Sequence, residues 1–405
     1  MPREPFCFIH ASGLHLDGPL EDIGALPDDL RNTVEDATLS AFENLIRECL
    51  EREAAFLLLA GESFEERRRS LRARVALVNG LRRLDEHGVR VFVMPGEADP
   101  AIAWHAIDGL PKNVTLLTPH SEGPILIERD RRAIAWLAAG PANESASGDR
   151  SGGPVRIGVC SPRHSAAFLQ TAENREHPAS VEYLVLSGPG RRTTLRTICG
   201  TAHHPGGTQG LLADDAGPHG ATLVTVDSDG AIGLGLLPTA VVRRERPRIV
   251  LDAHATRDAL AERMRSALHE FSPTATERVH LIAWTIRGTG ALFESLHEEG
   301  GQESILATVG PSDGEPRLVH TVRLLPDGGA ETWSDDESPA AGYFAALAEE
   351  RPLTAEALRS WLDVPAVSDE EPQTEWERRL PALAARLDLE TIDARARRLG
   401  AEWFS

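Results

Sequence analysis

Between residues 6 and 94 the chain alternates short, continuously apolar runs with longer amphipathic ones, and this alternation restricts the fold more than any other feature. The stretch 6–20 (FCFIHASGLHLDGPL) opens as an apolar strand and runs into a polar turn holding two histidines. The runs AAFLLLAGE (54–62) and VRVFVM (89–94) have the unbroken apolar character of strands buried on both faces. Between them, residues 28–53 carry Leu30, Val34, Phe42, Leu45, Ile46, Cys49 and Leu50 at helical spacing. Residues 65–87 repeat the pattern with Leu71, Val75, Val78, Leu81 and Leu84 directed inward, and Gly88 fits a C-terminal cap. Strand, helix, strand, helix, strand predicts a doubly wound α/β start with its ligands at the carboxyl ends of the strands. Those ends are Ser12 to His15, Gly61-Glu62 and Gly96 to Asp99.

Downstream, short β-like runs follow one another over 114–137, and 140–154 (GPANESASGDRSGGP) is a polar, glycine-rich surface loop. Further strands are expected at 155–159 and 183–186. After a glycine-rich loop (204–220), ATLVTVD leads through a turn at Asp227 to Gly230 into a strand at 232–237. The DSDG sequence there could open a calcium loop, but the later ligands are missing, so a hairpin turn is the expectation. The basic, proline-bearing stretch 243–248 reads as a domain hinge. Beyond it come a strand at 249–251, a helix with Leu260, Met264, Leu268 and Phe271 on one face, a strand at 279–286, a short helix around Leu292, and strands at 305–309 and 318–325. GTGALF at Gly288 is half of a dinucleotide fingerprint, without support elsewhere. The resulting division is 1–244 for the main domain, 245–335 for a small α/β domain and 336–405 for a helical tail able to offer amphipathic helices to a partner.

A chain of 405 residues with 41% apolar residues can build a substantial core. No apolar run approaches the length needed to cross a bilayer, and the start lacks the pattern of a signal peptide, so a cytoplasmic protein is expected. The formal charge of −20 excludes a generally basic nucleic-acid surface; any contact with DNA is local or delegated. Lys112 is the sole lysine, and the cysteines Cys7, Cys49, Cys160 and Cys199 stand singly, as buried thiols rather than disulfides or a zinc knuckle.

The strand ends have the order and spacing of a known family. HASGLHLDGPL, GESFE and PGEADP resemble the opening HTADLHLG, the GDLFD and the PGNHDP of SbcD-type DNA repair exonucleases, within the calcineurin-like metallophosphoesterases. HHPGGTQGLLADDAGPHGATLVTVD (203–227) is similar to the YPG-containing segment that follows that family's last metal motif. The resemblance covers roughly residues 6–247. It implies a sandwich of two β-sheets flanked by helices, with the small domain as a capping-like domain and an SbcC-like coiled-coil ATPase as partner. DNA ends and a second copy of the chain are further implied partners.

That family's chemistry requires two divalent metals held by Asp, His and Asn, with another His assisting the leaving group. Carried onto this chain, the first Asp falls on Gly13 and its partner His on His15. The bridging Asp falls on Glu62, the Asn on Glu97 and the leaving-group His on Ala98. The lone downstream His falls on Ser161, three residues before His164, and the closing GHxH on Ser187-Gly188-Pro189-Gly190. The resemblance thus implies that His15, Glu62 and Glu97 are remnants able to hold one ion weakly and that no cofactor is expected; if activity survives, the metal is divalent, manganese by preference. Arg191 and Arg192, after the Gly-Pro-Gly turn, could instead grip a phosphate. His203 and His204 are neighbours on a strand and point to opposite faces, which keeps them from one metal. Asp99 reads as a turn or cap carboxylate, Asp17 as a loop acid, and Arg163-His164 as a solvated helix start.

Overall fold

The computed structural model describes residues 3–118, 123–139, 153–165, 181–196, 200–309 and 316–326. The loop expected at 140–154 therefore falls largely outside the described residues, as do Cys199 and the expected helical tail 336–405.

The first layer is β1 (Phe6–Ala11), α1 (Asp28–Glu35), α2 (Ala37–Glu51), β2 (Phe56–Ala60), α3 (Leu71–Glu86), β3 (Arg90–Met94), α4 (Ala101–His105) and β4 (Val114–Leu116). β1, β2, β3 and β4 lie side by side and parallel, so the helices between them are crossover connections. The 28–53 helix is interrupted at Asp36 into α1 and α2. Ser70 caps α3, its hydroxyl accepting the Ala73 amide at 3.1 Å. The buried stripe of α3 is Ala73, Leu77, Gly80, Leu81 and Leu84, whereas Leu71 and Val75 are 74% and 50% exposed. The expected inward positions Leu71 and Val75 were thus out of phase, because Ala73 and Leu77 hold the buried stripe and lie, two residues on from each, about 200° further round the helix.

The second sheet is built from β5 (Ile125–Arg129), β6 (Arg132–Ala139), β7 (Val155–Val159), β8 (Tyr183–Val185), β9 (Thr193–Arg196) and β10 (Thr201–His204), in the order β5-β6-β7-β8-β10-β9. The chain then returns to the first sheet as the hairpin β11 (Gly220–Val226) and β12 (Ile232–Pro238), with β11 antiparallel to β1. Asp227 Oδ1 accepts the amides of Asp229 and Ala231 at 3.0 and 2.8 Å, which makes DSDG a turn.

Alternation along β1 decides how the sheets meet. Ile9 and Ala11 face α2 and α3 in one core, while Phe6 and Phe8 face the second sheet in another, packed with Phe56, Phe92, Tyr183 and Val185. Each such fully buried large side chain stabilises the fold by about 1.5–3 kcal/mol. Two six-stranded sheets packed face to face, with helices outside, give the sandwich the resemblance implies.

The remaining elements are β13 (Val242–Glu245), β14 (Arg248–Leu251), α5 (Arg257–Glu270), β15 (Val279–Gly288), α6 (Ala291–Ser295), α7 (Gly301–Val309) and β16 (Arg317–Pro326). The stretch read as a hinge is strand on both sides of Arg246-Pro247: β13 and β14 run parallel to the same edge of β15. The third sheet therefore begins at Val242, ahead of the expected boundary. Residues 305–309, expected as a strand, belong to α7, because Ile305 is drawn into a core of Leu260, Met264, Trp284 and Phe293 on one face of the sheet. On its other side Val242, Val279, Leu281 and Val319 pack with Leu20, Leu30 and Val34, which seats this unit on α1.

Candidate functional site

The parallel strands β1, β2 and β3 bring the three expected turns to one edge of the first sheet. There the backbone is sewn together. Gly13 N donates to Gly61 O at 3.1 Å, His15 N to Glu62 O at 3.0 Å and Gly188 N to Ala60 O at 2.9 Å. The Ser12 hydroxyl donates to Ala60 O at 2.7 Å and also lies 3.2 Å from Gly188 O. Sequence reasoning gave Ser12 no role; its signal was its place next to Gly13, where a small hydroxyl can satisfy the carbonyls that strand ends leave open.

The carboxylates at this edge are likewise occupied. Asp99 is fully buried; its Oδ1 accepts from Glu62 N and Gly96 N, both at 2.9 Å, and its Oδ2 from Ser63 N at 3.0 Å and Trp104 Nε1 at 3.1 Å. Burial pushes its carboxyl up to about 6, against the lowering effect of those donors. Glu62, also buried, accepts Glu97 N on Oε1 at 3.1 Å, while the Glu97 residue itself is exposed. Gly96 is required here, since a Cβ on it would lie 2.6 Å from both Asp99 Oδ1 and Glu62 Oε1. Ala98 contributes only its carbonyl, which accepts Glu66 N at 3.0 Å.

His15 (φ 41°) and Glu62 (φ 58°) both hold left-handed backbone, which costs a non-glycine residue of order 1 kcal/mol or more and gathers at functional sites. The two turns are adjacent, and the charges of Glu62, Glu65 and Asp215 oppose the burial that lowers the His15 pKa. Yet Glu62 and Glu97 do not line the cleft that His15 lines. Among the described residues no group of three or more His, Cys, Asp or Glu side chains is placed to hold a metal ion. The residues present do not fit a pair of divalent ions, which needs a shared cluster of anionic and imidazole donors. Ser161 and His164 bond each other at 2.7 Å on the surface, and Asp17 is taken up by Ser70 and Arg72.

The cleft itself, about 620 Å³, opens between the β1 turn and the loops around β9 and β10. Its lining includes His15, Arg191, Arg192, His204, Asp214, Asp215 and Leu212. β10 separates its two histidines as expected. His204 faces the cleft floor, with Nε2 2.9 Å from Gly188 O and Nδ1 accepting Gly206 N at 3.1 Å. His203 points between the sheets, its ring nitrogens 2.8 Å from Thr194 Oγ1 and 2.7 Å from Thr222 Oγ1. His10 joins it from β1, with Nδ1 2.9 Å from the Tyr183 hydroxyl and the two imidazoles 5.8 Å apart. Burial lowers the pKa of both histidines, that of His203 to about 3, and the Arg192 charge acts in the same direction. This buried polar cluster escaped the sequence reading, although His10 is in phase with Phe6 and Phe8 and so had to face the second sheet.

Arg191 pairs with Asp214 at 3.5 Å, both largely exposed. Arg192 extends across the cleft wall, where its Nη1 donates to Thr222 Oγ1 at 2.6 Å.

No family model matches the chain. It is 26% identical over 233 residues to the uncharacterized metallophosphoesterase YhaO of Bacillus subtilis (strain 168), a match covering 54% of this chain and 57% of that protein. The chain thus spans little more than half the length of this relative. No helix among the described residues is long and apolar enough to cross a membrane. The fold is the α/β metallophosphoesterase sandwich, and the likeness supports the calcineurin-like metallophosphoesterase superfamily for this chain.

Proposed function

We propose that this chain is a catalytically degenerate protein of the SbcD type, acting as a structural or regulatory subunit of an SbcC-like coiled-coil ATPase. The observation that carries the reading is the state of the strand edge. Ser12 bonds the carbonyls of Ala60 and Gly188, while Asp99 and Glu62 accept backbone amides of the neighbouring turns. Groups that a metallohydrolase directs at ions are here absent or engaged in holding loops together. A frame retained without its ligands fits a protein whose shape is used and whose chemistry is not. The amphipathic pattern of the tail, read from the sequence, supports a partner helix-binding role.

The test is metal content and hydrolysis together. After incubation with manganese and desalting, the protein should retain only substoichiometric metal and should cleave neither bis(p-nitrophenyl) phosphate nor DNA ends. The full-length chain, tagged, should co-purify with the SbcC-like ATPase when the two are co-expressed. Stoichiometric manganese with hydrolysis abolished by His15→Ala would instead establish a second reading, an active phosphoesterase using His15, Glu62 and Glu97. The left-handed backbone at His15 and Glu62 is the feature that favours that alternative.

A further inference from the structure

Arg192 is the unbalanced charge of the cleft. Its Nη1 is fixed by Thr222 Oγ1 and lies 3.4 and 3.5 Å from the carbonyls of Pro205 and Ala221. Among the described residues its Nε and Nη2 make no hydrogen bond, and no carboxylate lies within ion-pair distance of it. The acids that line the cleft are engaged elsewhere: Asp215 Oδ2 accepts the amides of Leu211 and Leu212 at 3.0 and 2.9 Å, and Asp214 faces Arg191. Behind Arg192 the polar groups are neutral, since His10 and His203 are buried with depressed pKa values. The guanidinium is held by one nitrogen with the rest of its fork free, a geometry that suits two oxygens of a phosphoryl group.

The rest of the cleft limits what such an anion can be attached to. Its volume of about 620 Å³ suits a small molecule. Leu211, Leu212 and Leu236 give it an apolar side, with Leu212 48% exposed. Asp214 and Asp215 line the same space, so a strand of nucleic acid would carry successive phosphates past two carboxylates in a chain of net charge −20. A single phosphoryl group on an uncharged body, seated at Arg192, meets that repulsion once rather than at every phosphate. We infer that the cleft is a metal-independent receptor for a phosphomonoester, with Arg192 pairing with the phosphoryl oxygens and the Leu211–Leu212 side receiving the body of the ligand. This deepens the non-catalytic reading and rests on it, because an anion held by arginine takes the place of one clamped by metals.

Calorimetric titration of the full chain in EDTA tests it, with inorganic phosphate, a nucleoside 5′-monophosphate, the unphosphorylated nucleoside and a 5′-phosphorylated oligonucleotide as probes. The monophosphate should bind more tightly than phosphate, the nucleoside should not bind measurably, and Arg192→Gln should weaken binding about tenfold or more. Arg192→Lys, which keeps the charge and loses the fork, should recover only part of that loss. If Arg192→Gln does not fold, Leu212→Asp on the cleft rim should weaken the monophosphate by about threefold or more through added negative charge. Binding indifferent to these substitutions overturns the proposal. An oligonucleotide that binds at least tenfold tighter than the monophosphate, with steep salt dependence, overturns the assignment to a monoester. Absence of phosphate binding in EDTA, with neither metal uptake nor hydrolysis, overturns the receptor and leaves the non-catalytic reading intact. Binding that appears only with manganese and is followed by hydrolysis overturns both.

Discussion

The two halves of the site differ in how their polar groups are satisfied. On the first-sheet side, Ser12, Glu62 and Asp99 meet partners from the protein's own backbone, and the corner is closed. On the second-sheet side, Arg192 is anchored by one nitrogen and keeps the others free toward an open cleft. The difference separates what a loop needs in order to fold from what it offers to a ligand. A buried carboxylate without metal must find donors, and it finds them in the nearest turns. A solvent-reachable guanidinium has water as an alternative and can wait for an anion.

The strongest break of the closed half is Asp99→Ala. It strands the amides of Glu62, Ser63 and Gly96 and the Trp104 indole, and should cost about 3–4 kcal/mol in urea unfolding. Unchanged stability would mean that this carboxylate does not hold the corner.

Acid should act next most strongly, through the histidines between the halves. His203 has a folded pKa near 3, below its unfolded value, so its contribution is complete above about pH 6.5 and is lost as pH falls toward 3. At pH 4.5 the loss from His203 alone is about 2–3 kcal/mol relative to pH 7, with His10 and His204 shifted in the same direction. Asp99 opposes this trend: its raised pKa stabilises the fold below about pH 4 and that contribution disappears as pH rises through 6. Denaturation curves of the wild type and His203→Gln at the two pH values separate these contributions, and a wild type equally stable at both would refute the neutral-histidine account.

Smaller effects sharpen the comparison. Ser12→Ala should lose about 1 kcal/mol, measured by thermal melting, because two buried carbonyls share its hydroxyl. Gly13→Asp restores the residue implied by the resemblance, but Gly13 has φ 57° and a Cβ would come 3.2 Å from Gly207 Cα. That variant should be less stable by about 1 kcal/mol and still take up no stoichiometric manganese. Arg191→Ala, which breaks an exposed pair with Asp214, should change stability by less than about 0.5 kcal/mol. A larger loss would place Arg191 in the closed half.

Much of this architecture was legible in the sequence where local chemistry had one solution. Continuous apolar runs gave β2 and β3, the turn chemistry of DSDG gave the β11–β12 hairpin, and alternation placed His203 and His204 on opposite faces. Where packing chose between local options, the reading slipped. Leu71 and Val75 of α3 lie out of phase with the stripe of Ala73, Leu77 and Leu81 that the core covers, and Ile305 to Val309, rich in β-branched residues, became helix because a sheet needed covering. Arg246-Pro247 looked like a hinge, but its flanks are strands because β15 supplies an edge for both.

For the site, the sequence by itself determined which residues stand at the strand ends: Gly13, His15, Glu62, Glu97 and Ala98 follow from strand order and the period of the pattern. It could not determine what those side chains do, since the hydrogen bonds that tie one turn to another join residues distant in the chain. Ser12 reaches Gly188, Glu62 receives Glu97 N, and Arg192 is fixed by Thr222. Pairing of β2 with β3 in one case, and the packing of the two sheets in the other two, brought those partners within 3.2 Å of one another, and so decided which polar groups are satisfied internally and which remain open to a ligand.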